Sequence, residues 1–507
     1  MFAKIHSAAL TGLNCNTVIV EVFIGGGWPG FQVVGLPDTA IQEARERIKA
    51  AWKNSGLKFP HSFHITANLA PADLRKEGAL YDLPMATAMY VSHHKIKKDF
   101  SDSLFVGELA LNGEIRYTNS ILPIALFAAE QGYKHLFIPA INAKEAGLAQ
   151  GIEILPVHSF SELIKHIEGE TYIKPFCTSQ NYEAFLQKTH YELDIAFIKG
   201  QEFAKRALEI AASGGHNILF NGPPGSGKTL LARSLPSIMP PLTLSEGIEL
   251  TKIYSVAGLL PAKQPLITQR PFRAPHHSSS GVALVGGGRF PKPGEISLAH
   301  RGILFLDELP EFNSSVLEYL RQPLEDRIVT ISRALSSVSY PASFTLVASQ
   351  NPCPCGFATD PEQNCTCSPH TILRYQKKIS GPFLDRFDMC VEVPKIKFEK
   401  LASEDLGESS EIIRARVVKA RNIQIKRFPG LHFKTNSEMG TKEIKTFCGL
   451  REDSIDLLRS AMRHMNLSAR SYFKILKLSR TIADLAGKVP IEKEHVAEAL
   501  QFRKRTQ

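Results

Sequence analysis

Residues Gly222 to Thr229 read GPPGSGKT, a full match to the pattern GxxxxGK[ST]. Ile218, Leu219 and Phe220 before it read as an apolar strand, and Leu230, Leu231 and Ala232 after it open a helix. The pattern carries physical meaning only in that strand-to-helix context. Glycines without a Cβ let successive backbone N–H groups wrap a triphosphate, and the helix N-terminus adds positive potential. Gly222, Pro223, Pro224, Gly225, Ser226 and Gly227 are the expected cradle. Lys228 is expected to reach the β- and γ-phosphates, and the Thr229 hydroxyl to ligate Mg²⁺. The implied ligands are ATP and Mg²⁺.

A second cluster reads GILFLDEL from Gly302 to Leu309, with Asp307 79 residues beyond Lys228. Four apolar residues form a buried strand that delivers Asp307 and Glu308 to its end. Asp307 is expected to hold Mg²⁺, directly or through water, and Glu308 to polarise an attacking water. A third strand, Thr345 to Ala348, leads to Gln350 and Asn351, whose position suits a polar group that orients that water.

Eight cysteines are few for 507 residues, and four crowd into one loop as Cys353-Pro-Cys355 and Cys365-Thr-Cys367. Four thiolates on one hydrophilic loop suit a tetrahedral structural Zn²⁺, although CxC is tighter than the usual CxxC. The alternative is four reduced, unliganded thiols. A secreted disulfide scaffold would spread its cysteines more evenly. Cys15, Cys177, Cys390 and Cys448 are dispersed and read as ordinary free thiols. His276 and His277 are adjacent, which rarely suits one metal; loop structure or phosphate contact is the expectation, with no catalytic role.

The elements that must position these groups follow from pattern. Short β-like runs (Val18 to Ile24, Leu104 to Val106) alternate with helical stretches (Thr39 to Trp52, Pro123 to Gln131) up to about residue 165. Residues 166–198 lack period and read as a linker. Apolar runs at Asn217–Asn221, Ile303–Leu306 and Phe344–Ala348 are the short buried strands of a parallel sheet. From about Ser403 the pattern is helical, with helices expected at Ile412–Ile425, Asp453–His464, Ser471–Ala486 and Ile491–Arg503. The expected fold is therefore α/β: an N-terminal α/β domain (1–165), a P-loop core with a parallel sheet (199–395) and a helical C-terminal domain (396–507).

Composition sets bounds on partners. Hydrophobic residues make up 43% and charged residues 22%, so the chain can bury large cores and is neither disordered nor fibrous. No run approaches the ~18 apolar residues of a membrane span, and the first ten residues lack a signal h-region. A soluble, cytoplasmic protein with no membrane partner is expected. The formal charge of +10 lies entirely in residues 395–507, which hold 24 basic and 14 acidic residues; the first 394 residues are neutral. That basic region is either an electrostatic footprint for nucleic acid or a solvated helical surface.

With Gly381-Pro-Phe-Leu-Asp-Arg-Phe-Asp388 added to these motifs, the chain resembles the AAA+ ATPases of the magnesium-chelatase-like clade. In that resemblance Asn351 matches sensor 1, Arg386 the arginine finger that acts on a neighbouring subunit's ATP, and Arg470 (in Ser468-Ala-Arg-Ser-Tyr472) sensor 2 of the helical lid. The stretches RPFRAPHH from Arg270, PKPGEISLAHRG from Pro291, NPCPCG from Asn351 and SARSYFKIL narrow the likeness, over essentially the whole chain, to the competence protein ComM (YifB) family. The resemblance implies a homo-hexameric, ATP-dependent DNA motor that promotes branch migration in natural transformation, with single-stranded, forked or Holliday-type DNA as partner. It also implies two elements facing a ring channel, which here would supply Arg289 and Lys292, and Arg327 and Arg333; solvated surface is the alternative for each. Gly107 to Gly132 resembles the Lon protease domain, but the catalytic lysine position falls on Leu122 and Glu77 to Ala86 contains no serine. A nucleophile and its base must both be present, so a Lon-like fold without protease activity is expected. Two other readings remain: the motor subunit of a magnesium-chelatase-type metal insertase, and an AAA+ remodelling chaperone.

Overall fold

The structure is a computed structural model. It describes residues 1–503 apart from 178–181, 183–185, 187–190, 262–263, 289–290, 334–335, 361–362, 397–405, 432 and 466, and apart from the side chains of Arg333 and Ser336. The chain divides into two units: Met1–Tyr182 with Leu244–Ile267, and Glu183–Thr243 with Thr268–Gln507.

The first unit is built on a seven-stranded sheet of order β3-β4-β2-β1-β5-β8-β9, with β1 Phe2–Thr11, β2 Asn14–Gly25, β3 Gly30–Val34, β4 His64–Ala70, β5 Ser103–Phe105, β8 His135–Pro139 and β9 Glu153–Val157. A small hairpin, β6 (Glu108–Leu109) with β7 (Ile115–Arg116), stands beside it. β1 and β2 alternate between buried and more exposed positions, placing Ile5, Val18, Val20 and Val22 in the core. The helix expected at Thr39–Trp52 runs Thr39–Asn54, and Asp38 caps it by accepting from the Ile41 N–H at 2.8 Å. The helix expected at Pro123–Gln131 is Ile121–Glu130.

Three features of this unit bear on function. Leu122 is fully buried and its N–H is donated to Glu145. The segment Ala79–Tyr81 is a short turn leading into the buried helix Asp82–His93. Asp82, fully buried, receives two hydrogen bonds from Arg47 (2.7 and 3.0 Å) and one from the Leu109 N–H. Burial pushes the Asp82 carboxyl up to about 6, while Arg47 pulls against that rise. Finally, the helix Leu244–Ala257, which follows the P-loop helix in sequence, belongs to this unit. It packs against the helix Ile121–Glu130, and Ser255 donates to the buried Glu145 at 2.6 Å.

The second unit carries a five-stranded, wholly parallel sheet of order β11-β14-β17-β10-β18: β10 Ile218–Asn221, β11 Phe272–Arg273, β14 Ile303–Leu306, β17 Thr345–Gln350 and β18 Met389–Glu392. β14 is buried along its whole length, as a sheet covered on both faces demands. Two hairpins leave this unit's core, β12 (Gly286–Gly287) with β13 (Lys292–Pro293) and β15 (Ile328–Arg333) with β16 (Ser336–Pro341). They touch, because the Tyr340 hydroxyl donates to the Pro291 carbonyl at 2.6 Å. Where the chain leaves for Leu244–Ile267 and returns, one guanidinium joins the ends: Arg270 donates to Pro240 O (2.6 Å), Pro241 O (3.3 Å) and Arg301 O (2.7 Å).

The C-terminal helices Ser410–Arg427, Glu452–His464, Ala469–Leu485 and Lys493–Gln501 match the four expected ones within a few residues at each end, and Thr441–Phe447 is an additional short helix. They pack on the same core as the sheet; Val417, Ile475, Ile482 and Phe502 share one buried cluster with Ile218 and Phe305. Buried polar ties fix the contact, including Gln424 to the Ser213 carbonyl (3.0 Å) and His216 to Thr481 (2.8 Å).

The buried Arg47–Asp82 pair generates a stability prediction. Replacing Arg47 with Met leaves a carboxylate in the core without its counter-charge, at a cost of about 3–5 kcal/mol. The urea midpoint of the transition that reports the first unit should fall accordingly; an unchanged midpoint would show that Asp82 does not need the arginine.

Candidate nucleotide site

β10 ends at Asn221 and the helix Lys228–Ile238 begins seven residues later, so Gly222 to Gly227 must turn sharply between them. Gly225 and Gly227 have φ of +73° and +91°, a region that costs other residues energy. Gly222 is required for another reason: a Cβ there would lie 2.1 Å from the Val393 carbonyl oxygen.

Lys228 is the centre of the site. It is only 9% exposed, and its ammonium donates to Gly222 O (2.7 Å), Pro223 O (2.8 Å) and Asn351 Oδ1 (3.2 Å). Burial pushes it down to about 8, while Asp307 and Glu308 pull it back up. Thr229 Oγ1 donates to Asp307 Oδ2 at 2.9 Å. Cis ligands of an octahedral cation with bonds of about 2.1 Å lie roughly 3.0 Å apart, so this pair has the spacing of a shared Mg²⁺ edge. Glu308 is exposed at the end of β14, with φ of +51°. A non-glycine residue in that region is strained, and such strain concentrates at functional sites. Its N–H is held by Asp307 Oδ1 (3.1 Å) and Ser349 Oγ (3.2 Å).

Three strand ends of the parallel sheet thus bring Lys228, Thr229, Asp307, Glu308 and Asn351 to one edge, at the carboxyl ends of the strands where α/β sheets bind ligands. Sequence reasoning missed Ser349, which is buried and hydrogen-bonded to both Asp307 and the Glu308 N–H. It also missed Gln201, whose amide donates to Ser226 O (3.2 Å) and Pro394 O (2.5 Å). Ser349 was findable as the polar residue just before Gln350 in an otherwise apolar strand. Gln201 carries no local signal.

Arg386 and Arg470 are placed elsewhere. Both line a cavity with Glu325, Arg327, Lys474 and Lys477, and the lining includes no residue of Gly222 to Thr229. Glu325 pairs with Arg386 and lies 4.0 Å from Arg470. Arg386 Nε is buried and has no hydrogen-bond partner among the described residues.

The residues expected on a DNA path divide. Lys292 is exposed on β13. Arg333 ends β15, its side chain outside the described residues, as is the whole of Arg289. Arg327 must be corrected. It sits before the hairpin at φ +59°, pairs with Glu438 of the C-terminal helices, donates to Ser343 Oγ (3.3 Å) and lines the Arg386 cavity. Burial pushes it down to about 10, and its charge is committed within the subunit. His276 and His277 lie in a loop with rings 4.1 Å apart; His276 Nδ1 is 2.7 Å from Ser278 Oγ, and His277 meets the edge of Phe312.

The cysteine cluster is real in space. Sγ–Sγ distances are 3.3 Å (Cys353–Cys355), 3.5 Å (Cys355–Cys365) and 3.7 Å (Cys353–Cys365), and all four sulfurs, Cys367 included, lie within 4.8 Å of one another. Zn–S bonds of about 2.3 Å in a tetrahedron set sulfurs roughly 3.8 Å apart. The donor set fits zinc, and CxC spacing does not prevent it.

A parallel sheet of this order with a phosphate loop, a strand-end Asp-Glu pair and a polar strand end beside them defines a P-loop ATPase of the AAA+ class. Residues 194–401 match the family described as "Magnesium chelatase, subunit ChlI", residues 20–142 "Subunit ChlI of Mg-chelatase", and residues 407–503 "Magnesium chelatase, subunit ChlI C-terminal". The Competence protein ComM of Haemophilus influenzae is 43% identical over 506 residues, covering 99% of this chain and 97% of that protein. The Uncharacterized protein YifB of Escherichia coli is 40% identical over 501 residues, 98% of this chain and 96% of that one. The chain belongs to the ComM/YifB family of magnesium-chelatase-like AAA+ proteins. Lon protease 2 of Bacillus subtilis is 30% identical over 143 residues, 27% of this chain, in keeping with the Lon-like first unit. Among the described residues no helix is long and apolar enough to cross a membrane.

The depressed ammonium of Lys228 predicts a pH dependence. Its folded value of about 8 lies below the ordinary lysine range, so the charge is present below that value and lost above it. Affinity for a fluorescent ATP analogue should fall roughly tenfold between pH 7 and pH 9 as the phosphates lose their counter-charge. A flat titration over that range would refute the placement of Lys228 against the phosphates.

Proposed function

We propose that this chain is the subunit of a ring, a homo-hexamer, that uses ATP hydrolysis to drive branch migration of DNA recombination intermediates in natural transformation. The observation that carries the reading is the separation within one chain of Lys228, Asp307 and Glu308 from Arg386 and Arg470. Lys228 neutralises the β- and γ-phosphates, Thr229 and Asp307 hold Mg²⁺, Glu308 acts as general base, and Asn351 orients the water. The cavity that Arg386 and Arg470 line includes no residue of Gly222 to Thr229, and on this reading both serve the ATP of a neighbouring copy. A head-to-tail contact of that kind closes into a ring or runs on as a filament, and the ring is the form proposed here. A trans arginine is worth ~10³–10⁵ in rate.

DNA as the substrate is supported by the full-length similarity to a competence protein, by the basic C-terminal region and by the paired hairpins that carry Lys292 and Arg333. Such cations grip phosphates without reading bases. The family descriptions name magnesium chelatase and keep the metal-insertase motor as the second reading. A structural Zn²⁺ on Cys353, Cys355, Cys365 and Cys367 completes the cofactor set, and the compartment is the cytoplasm.

Forked or single-stranded DNA should raise the ATPase rate, and DNA affinity should fall steeply, by on the order of 10³-fold or more, between 50 mM and 200 mM salt. An ATPase indifferent to every DNA form would favour the insertase reading. For the arginines, mixing Arg386→Ala subunits with Lys228→Ala subunits is expected to restore part of the ATPase that each lacks alone. Co-assembled mixtures that stay inactive at all ratios would contradict a finger in trans.

A further inference from the structure

The loop that bears the four cysteines meets the nucleotide site on several sides. Its first residues continue directly from Asn351, whose Oδ1 lies 3.2 Å from Lys228 Nζ. Gly356 adopts φ +86°, and a Cβ there would stand 2.4 Å from Pro224 Cδ, so the loop's backbone rests on the phosphate loop itself. The Gly356 N–H closes on the Cys353 carbonyl at 3.0 Å, which ties that contact to a thiolate ligand. Immediately after Cys367, Ser368 caps the helix Pro369–Gln376 by accepting from the Thr371 N–H. That helix returns to the start of the loop, where the Gln376 amide reaches the Pro352 carbonyl at 3.4 Å. The chain then passes through the short helix Gly381–Leu384 to Arg386.

Little else orders this loop. Between Pro352 and Cys367, Pro352, Cys353 and Gly356 are the only buried positions among the described residues. A loop of this length without an apolar core pays its ordering entropy through something else, and metal binding is the available source. The Cys367 N–H donates to Cys365 Sγ at 3.4 Å, the kind of outer contact that orients a ligating sulfur.

We propose that the tetrathiolate site is a positioning device for catalysis. A bound soft divalent cation, zinc by the donor set, fixes the loop so that Asn351, the phosphate loop and the helix leading to Arg386 are held in mutual register. Hydrolysis then requires the metal, whereas capture of ATP by the cradle and Lys228 does not. This rests on the zinc reading above and goes further by making the metal a determinant of turnover.

The test uses the full-length protein, purified reduced and without a metal-affinity tag. Zinc is quantified by elemental analysis, removed with a high-affinity chelator, and restored as zinc chloride, with folding followed by circular dichroism. Chelation is expected to lower kcat by about 10–100-fold, the size of effect typical when support around a site is lost. Affinity for a fluorescent ATP analogue should stay as it was, and zinc should restore kcat. Gly356→Val gives an independent arm. It should retain zinc yet lose kcat and weaken ATP binding, because the added side chain presses on Pro224. Full turnover by folded, zinc-free protein overturns the coupling while leaving the metal site intact. Wild-type kinetics in Gly356→Val overturn the contact on which the coupling depends. Freshly reduced protein that contains no zinc overturns the metal reading itself, and the proposal with it.

Discussion

A lysine ammonium taken almost wholly out of water, with only neutral oxygens as hydrogen-bond partners, is the constraint around which the second unit is arranged. Gly222 O, Pro223 O and Asn351 Oδ1 hold Lys228 in place without cancelling its charge. Burying an ion in this way is unfavourable unless an anion completes the set. Of the two carboxylates whose charge acts on it, Asp307 is engaged by Thr229 and Ser349, and Glu308 is exposed, with its backbone N–H held by Asp307 and Ser349. The protein spends stability to keep a localised positive charge facing a cradle of N–H groups. The parallel sheet, buried on both faces, is the rigid base that makes this tolerable.

The arginines obey the opposite logic. Arg386 and Arg470 are gathered at Glu325, and Arg327 is neutralised by Glu438. Arg386 is mostly covered and Arg470 is exposed, and both stand beside two half-buried lysines of the C-terminal helices, Lys474 and Lys477. A carboxylate that binds the guanidinium of Arg386 can be exchanged for a phosphate, since each offers two oxygens that accept from the planar guanidinium fork. Surplus positive charge in the C-terminal region is therefore partly internal, and only the remainder is available to an outside partner.

The nucleotide site was legible because its parts are local. GPPGSGKT and ILFLDE each place their chemistry within a few residues of a strand end, so the strand pattern alone locates Lys228, Thr229, Asp307 and Glu308. The cysteine cluster was legible for the same reason. What escaped depends on contacts between distant segments. Glu325 matters only because it meets residues 61 and 145 positions away, and Gln201 because it reaches Pro394. Arg327 was misjudged because a hairpin's sequence does not tell which cations face outward and which turn back toward a partner like Glu438. The helical run from Ser410 onward was recovered from periodicity, yet periodicity could not say that Leu244–Ala257 would join the other unit.

That last helix has a consequence for synthesis. The first unit lacks the strip that covers the Ile121–Glu130 helix, and the partner of Glu145, until residues 244–257 have left the ribosome. By then the phosphate loop has already emerged. The usual vectorial order, in which an N-terminal domain matures before the next one is made, is thus closed to this chain. Its N-terminal part must wait, incompletely covered, for a segment borrowed from its successor. The same interleaving means that no single crossover between genes can transfer one unit whole without carrying a piece of the other.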